Sequence, residues 1–397
     1  MKINKNISLL IASQVISDIG NWIDRVAVLT LIYEMSKSSI KMSILSIVML
    51  LPSLLFGTVA GKLVDSYNKK SILLLGDFIR AVLVFLVSLL PNYVIGLVFI
   101  IASVTVFYET AQSSIVVELA KKEKLRQINS LSNSLNSIMM IIGPSIGGLL
   151  SSQLNLKYCF YIDSLTFLAS MILVLMIEYK KFPISKLLFN DYSKPKFTDG
   201  IKYIKTNYLI RTTLMVNGLI GLSSGTLNGL MMMYVFEYLK TNSQGYGFIL
   251  TSKGIAMVLS SLFAYKYLAH IKIELIFIMS LFGLGITTTV FSLNNLFFLA
   301  LVIHFLNGIF NSFYTISRTT IIQQNCDVQH LGRIFALNTM FVNTSSIISL
   351  FVGGIITKVL SIRTTFIICS IFIIALSFFT GITFLKGLFS SSPKNSP

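Results

Sequence analysis

GKLVDSYNKKSILLLGDFIR, residues 61–80, joins two apolar runs through a short polar hinge. Gly61 allows a close approach or a turn. Asp65 offers one carboxylate, and Lys69 and Lys70 follow four and five residues later. Asp77 and Arg80 stand three apart at the start of the next run, on one helical face where they can pair. A carboxylate beside hydrocarbon is costly unless paired. The stretch reads as a polar turn between two membrane-crossing helices.

Composition supports that reading along the whole chain. Of 397 residues, 54% are hydrophobic and only 12% charged, and the mean hydropathy is +0.80. A soluble domain of this length carries about twice that charge. The net charge of +17 therefore calls for a bilayer before it calls for nucleic acid. Cys159, Cys326 and Cys369 are far apart in sequence, which argues against a disulfide framework or a metal site. Lys2 and Lys5 precede an apolar run too long for a signal peptide, so that run reads as the first span.

A crossing helix needs roughly 20 apolar residues. Such runs recur at 8–34, 42–64, 71–90, 93–117, 129–152, 158–178, 212–237, 246–268, 274–292, 296–317, 334–357 and 365–386. The expected fold is all-α and polytopic, with about twelve transmembrane helices. A Lys-rich segment containing Pro183 and Pro195 divides them six and six. The domains are then an N-terminal bundle over 1–180, a cytoplasmic linker over 181–211 and a C-terminal bundle over 212–390. Within the linker, Asp199–Tyr208 reads either as an amphipathic surface helix or as solvated chain. Basic residues concentrate on one side of the spans, at Lys69, Lys70, Lys121, Lys122, Lys124 and Arg126, in the linker, and at Lys386 and Lys394. That bias places both termini in the cytoplasm. The halves also echo each other: TAQSSIVVELAKKEKL (110–125) and ISRTTIIQQNCDVQHL (316–331) align at an offset of 206, which also sets Gly147 and Gly148 on Gly353 and Gly354. Duplicated six-helix halves are a feature of transporters.

Several polar groups fall inside the spans. Counted from Ser8 at 1.5 Å per residue, Asp18 is ~15 Å deep and Asp24 ~24 Å deep. An intramembrane carboxylate is a functional hypothesis by default, and a desolvated one can take up and release a proton. Asp18, Asp24 and Glu109 are the proton-coupling candidates; for each the bland alternative is a buried polar contact. Arg25, beside Asp24 but on another sector of the helix, is expected to pair with a carboxylate elsewhere. Trp22, Arg25, Asp163, Met232, Tyr234 and His304 are candidates for lining a cavity, since Met-rich stretches make adaptable apolar walls; packing is the plain alternative for each. In IGPSIGGLL (142–150), Pro144 interrupts the helix, and Gly143, Gly147 and Gly148 admit a close neighbour.

These motifs resemble the major facilitator superfamily of secondary transporters. Gly61, Asp65, Lys69 and Lys70 match the loop between its second and third helices, with departures at Ser66 and at Asn68, which still tolerates a left-handed turn. The Gly143-Pro144 run resembles the signature in helix five of drug-exporting antiporters, where it goes with outward transport. The family's frequent Arg in helix four has no match; Gln112 is the nearest polar group. SQVISDIGNWIDRVAVLTLIYE, the Asp163-Ser164 pair among aromatics and HLGRIFALN look like the branch containing macrolide-efflux and enterobactin-export proteins. There Gly332-Arg333 begins helix eleven, and the resemblance implies that Asp65 latches onto that helix end as an inner gate.

No phosphate-cradling Gly-x-x-x-x-Gly-Lys-Ser/Thr run, metal-spaced cluster or hydrolase nucleophile motif occurs in the sequence. An enzyme, a cofactor, a metal and a nucleic-acid partner are not expected. The expected protein is a multi-pass, monomeric antiporter of a bacterial plasma membrane. Its partners are protons, lipid and an amphipathic, drug-like small molecule held in a cavity between its halves. Export of an endogenous siderophore, lipid or peptide, or a non-transporting scaffold for an ATPase, are the alternatives.

Overall fold

The computed structural model describes residues 4–120, 124–179, 204, 207–267 and 270–390. Among these residues the chain forms thirteen α-helices, one 3-10 turn at Pro91–Tyr93 and no strand. The helices are α1 (Lys5–Ser36), α2 (Ser39–Ser66), α3 (Lys69–Leu89), α4 (Val94–Leu119), α5 (Leu125–Gln153) and α6 (Leu156–Leu175). They continue with α7 (Tyr208–Gly229), α8 (Met231–Glu237), α9 (Ser243–Tyr267), α10 (Ile273–Leu293), α11 (Phe297–Asn325), α12 (Val328–Val359) and α13 (Ile362–Ser390). Most of the linker, including all but the end of Asp199–Tyr208, lies outside the described residues, as do Lys121, Lys122 and Lys394.

Ten of these helices are long and apolar enough to cross a membrane. The expected single span over 212–237 is a bent pair: α7 and α8 meet at 45°, with Leu230 as the break beside the helix-weakening Gly229. The remaining crossing is α1, whose 32 residues include Asp18, Asp24 and Arg25. It lies against α5 and α6.

Local chemistry sets the helix starts. Asn4, Asn68, Asn155 and Asn207 each cap a helix with the side-chain oxygen, accepting a backbone N–H two or three residues on. This corrects two expectations in the opening stretch. Asn68 is extended, at φ −71°, and caps α3 instead of making a left-handed turn. Gly61 lies inside α2, with nothing within 4 Å of an added β-carbon, so it serves neither a turn nor a close approach.

The chain separates into two compact units: Met1–Ser185 with Val235–Thr251, and Lys186–Tyr234 with Ser252–Pro397. In the first, α1 lies against α5 and α6, and α3 against α4 and α6. In the second, α7 lies against α12 and α13, and α10 against α11 and α13. The same pairing scheme recurs, as the sequence offset of 206 implies. That offset also carries Tyr108 onto Tyr314, and each tyrosine is buried in the core of its own unit. Gly147 and Gly353 likewise mark equivalent contacts, Gly147 against Trp22 and Val26 of α1 and Gly353 against Thr226 of α7. Large apolar side chains such as Leu262, Phe298 and Val359 stay exposed, as expected of helices solvated by lipid.

Candidate functional site

The opening stretch divides into two structural roles. At the start of α3, Lys69 Nζ is 2.6 Å from Glu118 Oε1 at the end of α4, with side chains only 5% and 11% exposed. Tyr179 donates to the other oxygen of Glu118. Lys70 Nζ donates to the carbonyls of Leu175 and Ile177, at 2.9 and 2.8 Å, and so closes the end of α6. The basic pair thus ties three helices together, using a glutamate that sequence reading left unassigned. Asp65 is exposed, and Gly332 has open space around it.

Three turns deeper, α3 presents Asp77 and Arg80, which pair as their spacing implies. Arg80 Nη2 is 2.5 Å from Asp77 Oδ1, Arg80 Nε donates to the Gly76 carbonyl, and Ser170 of α6 donates to Asp77 Oδ2 at 2.9 Å. The Arg80 guanidinium is layered between Tyr108 of α4, 3.8 Å from the ring centroid, and Phe167 of α6, at 4.3 Å. A planar cation suits such a slot.

Arg80 forms part of the wall of a cavity of about 350 Å³ within the first unit. Asp18 and Trp22 of α1 and Glu109 of α4 line it too. Gln14, Asn21, Gln112 and Asn136 add uncharged polar groups, while Met139 and Met140 of α5 add a soft apolar wall. Gln14 Nε2 donates to Asn136 Oδ1 at 3.0 Å, joining α1 to α5 across the cavity rim. Two acids from different helices, separated in sequence by 91 positions, therefore share one chamber with an arginine. Most of the uncharged lining escapes sequence reading, because Gln and Asn in apolar runs carry no pattern of their own.

The Gly-Pro run sets the wall in place. A β-carbon at Gly143 would run into the Trp22 ring, and one at Gly147 would lie 2.7 Å from the Trp22 carbonyl oxygen. Gly148 abuts the first turn of α9 within the same unit. Thr251 Oγ1 donates to the Ile141 carbonyl and bonds Ser145 Oγ at 2.7 Å. Pro144 lies inside α5, and α5 approaches α1 closely through the glycine face.

Asp24 and Asp163 are not among the residues lining this chamber. Asp163 is 1% exposed; its Oδ1 accepts from Thr166 at 3.1 Å. Asp163 Oδ2 and Asp24 Oδ1 are buried without a hydrogen-bond partner among the described residues. Gly20, one turn before Asp24, leaves the room that the Asp163 carboxylate occupies. Asp163 is thus set between α1 and α6, apart from the chamber. Arg25 corrects another expectation: it is exposed and makes no ion pair among the described residues, its guanidinium lying 5.4 Å from the Trp22 ring centroid.

In the second unit, Met232 and Tyr234 are packing residues. Met232 is 1% exposed, and Tyr234 is fully buried. The Tyr234 hydroxyl lies 2.8, 3.0 and 2.9 Å from the carbonyls of Phe291, Ser292 and Asn294, and its ring stacks on Phe366. It pins the short α8 to the end of α10. His304 packs on Phe291, with ring centroids 5.1 Å apart. Sequence reading for acids also passed over Lys253, a lone lysine near the middle of α9.

No group of three or more metal-binding side chains occurs among the described residues. A helix-pairing scheme repeated in two units, with a charged, polar chamber in the first, fits a membrane transporter of the major facilitator fold. The family model described as "Transmembrane secretion effector", MFS_3, matches residues 3–390, and the chain belongs to that family. It is a multi-pass membrane transporter and not an enzyme. It is similar to macrolide efflux protein A of Streptococcus pyogenes, at 24% identity over 92% of this chain and 93% of that one. It is also similar to the uncharacterized MFS-type transporter YfiS of Bacillus subtilis, at 23% identity over 95% and 92%. In fold it matches the crystal structure of the nucleoside transporter NupG with a TM-score of 0.79, at 14% identity over 96% of this chain and 99% of that one.

Proposed function

We propose that the protein exports an amphipathic small molecule in exchange for protons, by alternating access, with both termini in the cytoplasm. The observation that carries this is the chamber in the first unit, where Asp18 and Glu109 face a common space beside Arg80. Away from the helix ends, the crossing helices of that unit hold five carboxyl groups, Asp18, Asp24, Asp77, Glu109 and Asp163. One buried guanidinium, Arg80, accompanies them. Asp77 takes that guanidinium directly. The other four have no full counter-charge, and an ionised acid at mid-membrane depth costs about 2.5–3.5 kcal/mol on insertion scales. Protons are the smallest counter-ions that can meet that cost and be released again.

Asp18 and Glu109 are assigned as the exchanging acids because they line the chamber. Trp22, Tyr108, Met139 and Met140 offer a flat and deformable apolar wall beside them, which suits an amphipathic guest. A membrane potential supplies about 2.3 kcal/mol per charge per 100 mV, enough to drive uphill export when a proton enters in exchange. The name of the S. pyogenes relative supports the outward direction and a macrolide-like cargo.

The test is flux by the purified protein alone in liposomes, using labelled erythromycin and an imposed proton gradient. The reading expects gradient-dependent transport that an uncoupler collapses. Transport that ignores the uncoupler contradicts proton exchange, and flux only when an ATPase is added supports the scaffold alternative instead.

A further inference from the structure

We infer that Lys253 in the second unit is the seat for an acidic group on the cargo, a carboxylate or similar anionic oxygen group. This rests on the reading of the protein as a small-molecule exporter and adds acidic molecules to the macrolide-like cargo of that reading. Lys253 lies ten residues into α9, ~15 Å along the helix at 1.5 Å per residue. The two ends of α9 are Ser243 and Tyr267, so the ammonium belongs to the middle of a membrane-crossing helix.

Among the described residues of the second unit there are two acids, Glu274 and Asp327. Glu274 is in the first turn of α10, and Asp327 is the residue preceding α12. Glu274 is half-buried and Asp327 exposed, both at helix starts and away from mid-span. Lys253 makes no ion pair and no hydrogen bond among the described residues. The first unit concentrates acids in its interior, whereas this unit holds an unneutralised cation.

The setting of Lys253 is defined on its inner side. Ser252 Oγ donates to the Leu301 carbonyl of α11 at 2.8 Å. A β-carbon at Gly308 would lie 2.5 Å from the Lys253 carbonyl oxygen. Leu301, His304 and Gly308 fall on one stripe of α11. The backbone of α9 is thus held against α11. The lysine residue itself is only half-buried, so an anion can approach it. A compact ammonium on a flexible stem suits a single anionic oxygen group more than a fixed bidentate one. A buried structural lysine needs a carboxylate from the chain; here the described residues supply none, and a guest can.

The probes are dansylaminoundecanoic acid and its uncharged primary amide, titrated by dansyl fluorescence against the purified protein in nanodiscs. The wild type is expected to bind the acid about tenfold more tightly than the amide, a difference of about 1.4 kcal/mol. Lys253→Met is expected to bind acid and amide alike, with amide binding unchanged, while Lys253→Arg keeps the preference. A wild type that binds both probes equally overturns the inference, as does a Lys253→Met protein that still prefers the acid. Binding is read without flux. A Lys253-dependent acid preference with neither probe carried into liposomes would sink the export reading and leave the anion seat standing. Equal transport of both probes would do the reverse.

Discussion

Arg80 Nη2 lies 2.5 Å from Asp77 Oδ1, and the two side chains are 1% and 0% exposed. The pair joins the buried centre of α3 to the wall of the chamber, because the same guanidinium stands between the Tyr108 and Phe167 rings and lines the cavity. Removing one member strands the other in a low-dielectric interior. Arg80→Met or Asp77→Leu alone is expected to cost about 3–5 kcal/mol of stability. The double substitution is expected to lose much less, since no charge is left stranded. Thermal unfolding of the four proteins in one detergent checks this. Equal losses in the double and single variants would count against the pair as a unit.

The glycines divide by what surrounds them. Gly147→Val drives two methyl groups toward the Trp22 carbonyl and the Val26 side chain, an overpacking expected to cost about 1–3 kcal/mol. Gly61 has nothing within 4 Å, so Gly61→Ala is expected to leave stability equal or to raise it by up to about 1 kcal/mol from helix propensity. Melting temperatures of the two variants decide. A destabilising Gly61→Ala would mean that the open space around Gly61 is filled in the protein.

The number of crossings and the repeat were legible because apolar run length and the offset of 206 are carried by many residues at once. The Asp77–Arg80 pair was legible because three-residue spacing fixes a helical face. Lys69 was legible as a charge, but its partner Glu118 is distant in sequence, and nothing in the spacing connects them. Asp163 was read as a cavity residue, yet Gly20 makes the room that buries it against α1, and a missing side chain leaves no pattern to read. Tyr234 followed a run of methionines that suggests an adaptable wall, but its hydroxyl is claimed by three carbonyls at the end of another helix. Lys253 carries no signal of its own, because the run at 246–268 reads as a span by its apolar length and one cation inside it sets up no spacing.

The Lys69–Glu118 contact yields a third prediction. It is partly buried and shares Glu118 with Tyr179, so Glu118→Gln or Lys69→Met is expected to cost about 1–3 kcal/mol. The reversed pair, Lys69→Glu with Glu118→Lys, is expected to recover part of the loss that Lys69→Glu causes by itself. Thermal unfolding of this double-mutant cycle checks the coupling. An additive double variant would show that the two charges do not act together.

The most direct measurement follows protons. Liposomes carrying the purified protein and a pH-sensitive dye in the lumen are given labelled erythromycin, and proton movement is recorded alongside cargo movement. Asp18→Asn with Glu109→Gln is expected to reduce cargo-dependent proton flux at least tenfold while the labelled cargo still binds, because the exchanging groups have been replaced by amides of similar shape. Cargo-dependent proton flux at the wild-type rate in that double variant would contradict the assignment of the chamber acids as the carriers.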